Sequence, residues 1–276
     1  MKPSKLLSLS FAAFFLLASQ NIIAETAITS INASKNTTDS LSDNQVNQVK
    51  GVVHDYLVTN PQVLVEASQA LQKQEMDKLT DKAKTAIVAN ADDLFGNTAS
   101  PVAGNANGNV TLVEFFDYQC PHCKEMKPII DKVMADDTNV RVVYKQLPIF
   151  GQTSRDTAAI ALAALKQGKD KFLKLHNALL ATEGQLNKDK TLVIAKSLGL
   201  DTTQLTKDMA DSGIQKQIDD NLKLAQSLNL IGTPTFVVAK WKVGDKKNDV
   251  KDAAFIPGMP TADELKTKII EAEKTA

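Results

Sequence analysis

Cysteine is nearly absent from this sequence: 276 residues contain two, separated only by Pro121 and His122. Two thiols exclude a disulfide-stapled scaffold and a four-cysteine zinc site built by one chain. A c-type haem attachment is excluded as well, because Lys124 rather than His follows Cys123. Net charge is missing too, with 32 Lys+Arg against 32 Asp+Glu, so no global basic field exists to attract nucleic acid. Gly and Pro are sparse at 12 and 9, which rules out collagen-like or Gly/Pro-rich disordered sequence. What remains is 43% hydrophobic and 23% charged residues, the composition of a globular protein of one or two domains.

The only long apolar run lies at the start, where Lys2 and Lys5 precede a mostly apolar stretch over residues 6–18, then Ser19 and Ala24. The pattern reads as a secretory signal peptide, residues 1–24, cleaved near Ala24. The run is shorter than the roughly 20 apolar residues that cross a bilayer. No cysteine follows it to carry a lipid. Cleavage would remove two lysines and no acid, taking the formal charge from +0 to about −2. The expected location is the periplasm of a Gram-negative cell, where disulfides form. Association with the outer surface is compatible with the same signal.

Residues 25–44 are rich in Ser, Thr, Asn and Asp without apolar periodicity and read as a flexible leader. Val46, Val49, Val53 and Tyr56 then mark a helical stripe. Asn60-Pro61 suits a second helix start, with Asn as cap and Pro where a backbone N–H would be unpaired anyway. Leu64, Ala67 and Leu71 continue an apolar face, and Leu79, Ala83 and Ile87 resume it. A helix over 61–89 would be about 40 Å long. These two helices, residues 45–90, have no third element nearby in sequence to cover their stripes. They must dock on the rest of the chain or on another copy. Residues 91–108 read as a linker, since 97–109 are rich in Gly, Asn and Ala.

Residues 110–116 (VTLVEFF) are nearly all apolar and β-prone, as in a strand buried on both faces. The two cysteines follow at once, then a helical pattern to about residue 136 containing Pro128, then a second strand over 140–147. This is a β-α-β unit with Cys-X-X-Cys at the strand-to-helix turn. At least four short helices come next, with Asn187 and Asp201 as caps. Strands return at 235–239 and 253–256, and Thr261 and Glu264 form a capping box for a last helix.

A cysteine at a helix N-terminus meets unpaired N–H groups and the positive end of the helix dipole, which stabilise a thiolate. Cys120 is therefore the candidate nucleophile and Cys123 the resolving thiol. His122 adds a donor or positive charge near the Cys120 sulfur and should help lower its pKa to about 3.5–5. A stable thiolate is a good leaving group, so the disulfide would be a strong oxidant. Competing readings are weaker. A structural disulfide here would close too small a loop to constrain the unfolded chain much. Zinc or copper would need ligands from elsewhere or from a second chain, and the other histidines, His54 and His176, read as ordinary helix residues.

The segment Glu114-Phe115-Phe116-Asp117-Tyr118-Gln119-Cys120-Pro121-His122-Cys123 resembles the active-site segment of the DsbA-type thiol:disulfide oxidoreductases of the thioredoxin superfamily. Ile231-Gly232-Thr233-Pro234-Thr235-Phe236 is similar to their cis-proline loop. The resemblance covers about residues 105–276. It implies an α/β, thioredoxin-like domain over 109–276 with a helical insertion at about 152–228. The helices before it, with Asn60-Pro61 and Glu66-Ala67, resemble the dimerising extension of Com-type and Legionella-type DsbA proteins. That would make 45–90 an α-helical dimerisation module.

The family's roles then fall on Cys120, Pro121, His122 and Cys123 at the redox centre. Thr233 and cis Pro234 would bind substrate, and Glu114 would be a buried acid that relays a proton to or from Cys123. The implied substrates are exported polypeptides, with a DsbB-like oxidase or DsbD-like reductase in the membrane to reset the site. The redox-active Cys120–Cys123 disulfide would need no metal and no separate cofactor. Thr233 before the cis-proline resembles the isomerase branch and Pro121-His122 the oxidase, so the family signals point to both activities. The rival expectation is a dimeric holdase, or a surface protein that binds unfolded chains or metal, whose redox activity is incidental.

Overall fold

The structure, a computed structural model, describes residues 41–250 and 252–275. The expected signal peptide and most of the expected leader lie outside them. The chain divides after Pro61 into two units.

The first unit holds α1 (Asp43–Thr59). Ser42 caps it: its hydroxyl accepts from Gln45 N, and Gln45 Oε1 accepts from Ser42 N at 2.9 Å, a reciprocal capping box. None of its residues is buried. Val49, Val52, Val53, Tyr56 and Val58 are each at least half exposed.

The second unit opens with α2 (Gln62–Ala89). Its two halves differ. Leu64, Val65 and Leu71 are exposed, whereas Ala83 and Ile87 are buried and the helix packs along β5 (Ala253–Pro257). The expected 45–90 module is therefore parted at Pro61, and the end of α2 belongs to the second unit's core. Removing a fully buried Ile would cost about 1.5–3 kcal/mol in transfer terms alone, so a truncation through residue 90 would damage that core.

The sheet contains β1 (Val102–Gly104), β2 (Val110–Phe116), β3 (Val140–Gln146), β4 (Thr235–Lys240) and β5, in the order β1-β3-β2-β4-β5. Of the four pairings between these strands β2 with β3 is parallel, joined through α3 (Pro121–Asp136), and the other three are antiparallel. Side chains alternate across the sheet. Leu112 and Phe116 point into one core, Val113 and Phe115 into the other, so VTLVEFF is buried throughout. The first core is covered by α3, α9 (Ala262–Lys274) and the helices α4 (Gln152–Ala164), α5 (Lys169–Ala181), α6 (Lys188–Ser197) and α7 (Thr202–Asp208). The second is covered by the end of α2, the end of α8 (Ser212–Ser227) and Trp241.

The stretch expected to be a linker, 91–108, is built into this second core. Asp92–Gly96 is a π-helical turn that buries Leu94 and Phe95, the latter 5.4 Å from the Trp241 ring. Two cations of β3 hold it from inside. Arg141 Nη1 donates to Phe95 O at 2.9 Å, and Lys145 Nζ donates to Asp93 O at 2.5 Å and Ser100 Oγ at 2.8 Å. Burial pushes Lys145 down to about 8. The strand that follows, β1, ends at Gly104 with φ +66°, where a Cβ would stand 2.5 Å from Val140 O. A glycine is required there by both conformation and space. Its glycines and asparagines are thus edge-strand turn residues rather than a flexible tether.

Candidate active site

Cys120 is the N-cap of α3, and Pro121 occupies the first turn, where no N–H is needed. Both cysteines are free and buried. Cys120 N donates to Asp117 O at 3.0 Å, and in the thiol form Cys120 Sγ donates to Thr233 O at 3.2 Å. The Cys120 thiol is lowered to about 5, chiefly because Cys123 donates to its sulfur. The backbone N–H groups of Cys123 and His122 add to this, while burial opposes it. Burial pushes Cys123 the other way, well above the ordinary thiol range, with help from Cys120 and the Glu114 charge. Two thiols three residues apart thus have opposite protonation preferences, set by the hydrogen bond between them and by the deeper burial of Cys123.

The donor expected of the His122 side chain comes instead from its main chain. Its imidazole is 61% exposed, with Nδ1 3.6 Å from the Glu125 carboxylate. Glu114, on β2, is fully buried, and neither carboxylate oxygen has a hydrogen-bond partner among the described residues. Burial raises it to about 8, opposed by the charge of Lys127. The Thr233–Pro234 peptide is cis, and Thr233 stands beside Cys120.

Residues that sequence reasoning passed over hold the turn before Cys120. Asp117 Oδ1 accepts from Gln119 N and Ser154 Oγ, both at 2.8 Å, and its Oδ2 accepts from Ile149 N at 2.8 Å and Phe150 N at 3.3 Å. Gln119 Nε2 donates to Leu186 O at 2.5 Å, and Leu186 N donates back to Gln119 Oε1 at 2.9 Å. Tyr118 Oη lies 3.0 Å from His176 Nδ1, both side chains buried among Phe116, Tyr144 and Phe172. Burial pushes His176 down to about 3, so the imidazole is neutral, and its tautomer decides which of the two groups donates. A clue was present: His176 shares the apolar face of α5 with Phe172, Leu175 and Leu179.

This arrangement is chemically a thiolate that can attack or leave, beside a protonated thiol that can follow it. With the reduced protein, iodoacetamide should alkylate Cys120 and not Cys123, with a rate midpoint near pH 5. A midpoint at the free-thiol value of about 8.5 would contradict the cap argument.

Comparison with known proteins places the chain. Residues 111–269, more than half of it, match the DSBA-like thioredoxin domain family. The chain belongs to that family and has its thioredoxin-like fold, here with a helical N-terminal region. Residues 45–78 match the copper resistance protein ScsC N-terminal domain. A thioredoxin-like oxidoreductase of Silicibacter pomeroyi is 38% identical, covering 67% of this chain and 98% of that one at TM-score 0.60. Proteus mirabilis ScsC in a transitional conformation is 29% identical, covering 85% of this chain and 97% of that one at TM-score 0.58. The thiol:disulfide interchange protein DsbA of Bordetella pertussis is 28% identical over 52% of this chain and 70% of its own. Two Salinispora Na+/H+ antiporters are 31% and 32% identical over 50% of this chain, which spans only 21% of their length.

Proposed function

We propose that this chain is a periplasmic thiol:disulfide oxidoreductase that forms, and also shuffles, disulfides in exported polypeptides. The observation that carries the reading is the split between the two thiols: Cys120 at about 5 on the helix cap, Cys123 buried and held protonated. In oxidation a substrate thiolate attacks Cys120 Sγ of the Cys120–Cys123 disulfide. That bond breaks, and its electron pair leaves on Cys123, which takes up a proton. A second substrate thiolate then attacks the substrate sulfur of the mixed disulfide and releases Cys120 as thiolate. The substrate loses two electrons and two protons, and the enzyme disulfide is reduced. Isomerisation starts from the Cys120 thiolate and returns to it with no net electron transfer. A DsbB-like or DsbD-like membrane protein resets the pair. The test is dithiol oxidation and rescue of scrambled ribonuclease by the full chain, against a Cys120→Ala, Cys123→Ala double variant. Equal activity of the two would overturn the reading.

The proposed assembly is a homodimer through the N-terminal helices. Support comes from α1, whose Val49, Val53 and Tyr56 form an unburied apolar stripe, a pattern that marks association surfaces. Val53→Asp with Tyr56→Asp should halve the mass seen by light scattering. It should also lower ribonuclease rescue several-fold more than oxidation of a small dithiol. A monomeric full chain would refute this part.

A further inference from the structure

A cavity of about 240 Å³ is lined by Thr233 and Pro234 of the loop beside Cys120, by Pro257 and Gly258, and by Met76 of α2. Resting on the disulfide exchange proposed above, we infer that Met76 makes α2 part of the substrate cleft. The cavity takes an apolar side chain next to the reacting cysteine of an extended polypeptide.

Three observations carry this. First, the cavity begins at Thr233, whose carbonyl is 3.2 Å from Cys120 Sγ. A substrate sulfur on Cys120 therefore places its neighbouring residue at the mouth. Second, among the described residues none that lines the cavity is charged. Larger cavities elsewhere are lined by Lys84, Asp252 and Glu271, or by Asp93, Lys145 and Lys216. Third, two large apolar side chains that line it stand open: Ile231 is 73% exposed and Met76 39%. Such a volume is below that of a small-molecule site and suits one side chain. Met, flexible and polarizable, adapts to differing apolar shapes. A folded protein rarely offers a cysteine with an apolar neighbour in extended form, so the cavity favours unfolded chains.

The test uses the full chain in its disulfide form and three dithiol peptides that differ only beside the first cysteine, bearing Leu, Asp or Lys. Wild type should favour Leu over either charge by about tenfold in kcat/KM, the worth of burying part of one apolar side chain. Met76→Lys should bring the Asp peptide level with the Leu peptide or ahead of it, and Met76→Asp should do so for the Lys peptide. Ile231→Lys, at a more exposed position, should shift the ratio in the same direction as Met76→Lys. Oxidation of all three peptides at ratios unchanged by these variants would overturn the cavity assignment alone. Failure of wild type to oxidise any peptide would overturn the underlying exchange reading as well. A Met76→Lys chain whose mass changes by light scattering while its peptide ratios do not would make this face a contact between copies, against the proposal.

Discussion

A Cys123→Ala chain is expected to stop turning over and to remain joined to its substrates through Cys120. At pH 7 a thiol held near 5 is almost wholly thiolate, whereas one at the ordinary 9.0 is ionised to about one part in a hundred. The variant loses the Cys123 thiol that donates to Cys120 but keeps the backbone N–H groups at the helix start, which still favour the thiolate, so attack by Cys120 is retained. What is lost is the second step. In the native chain Cys123 lies in the same helical turn and resolves the mixed disulfide from within. Well-placed intramolecular groups act at effective concentrations of about 10⁵ M or more, far above any external thiol, so the turnover rate should fall at least about 10³-fold. Substrate disulfides attacked by Cys120 would persist as mixed disulfides. On a non-reducing gel these appear as high-mass adducts that collapse with dithiothreitol. The same bands from a Cys120→Ala chain, with none from Cys123→Ala, would reverse the two roles. Cys123 could act alone only if its burial were lost, because its thiol is held above the ordinary range.

The helix-cap placement of the two cysteines was legible in the sequence because it is local. A strand signature, a proline and two cysteines lie within 14 residues, and helix caps such as Asn187, Asp201 and Thr261 depend on neighbours three residues away. The elements that were misread depend on distant partners. Val102–Gly104 resembles a loop until Val142 and Val143 pair with it, and Arg141 and Lys145 are ordinary strand residues until Phe95 O and Asp93 O turn up 46 and 52 positions away. Likewise Tyr118 and His176 are 58 residues apart. Periodicity revealed the stripe of α2 but not which half the sheet would cover. His122 was assigned by side-chain type, and the helix start turned that side chain to solvent while using its N–H.

Glu114→Gln should make the protein more stable in alkali and slower in exchange, a pairing that a purely structural acid would not produce. The carboxyl rises from 4.5 to about 8 because the folded chain buries it without a hydrogen-bond partner. Since the folded state binds this proton more tightly than the unfolded chain, its stability is complete below pH 4.5. It falls as pH rises towards 8 and is flat beyond. At about 1.4 kcal/mol per tenfold in proton affinity, the loss amounts to about 3–5 kcal/mol. Gln keeps the shape and cannot ionise, so the variant should match wild type near pH 5 and exceed it near pH 8 in urea midpoint. Parallel pH profiles for the two chains would mean that Glu114 is not a buried proton store. We propose that Glu114 also serves the exchange: its charge helps hold Cys123 protonated, and its carboxylate form takes the Cys123 proton when that thiol attacks and then returns it. Loss of that transfer should slow exchange by about 10²-fold and flatten its pH dependence. Unchanged rates in the Gln variant between pH 5 and 8 would leave the carboxyl with a cost and no role in the chemistry.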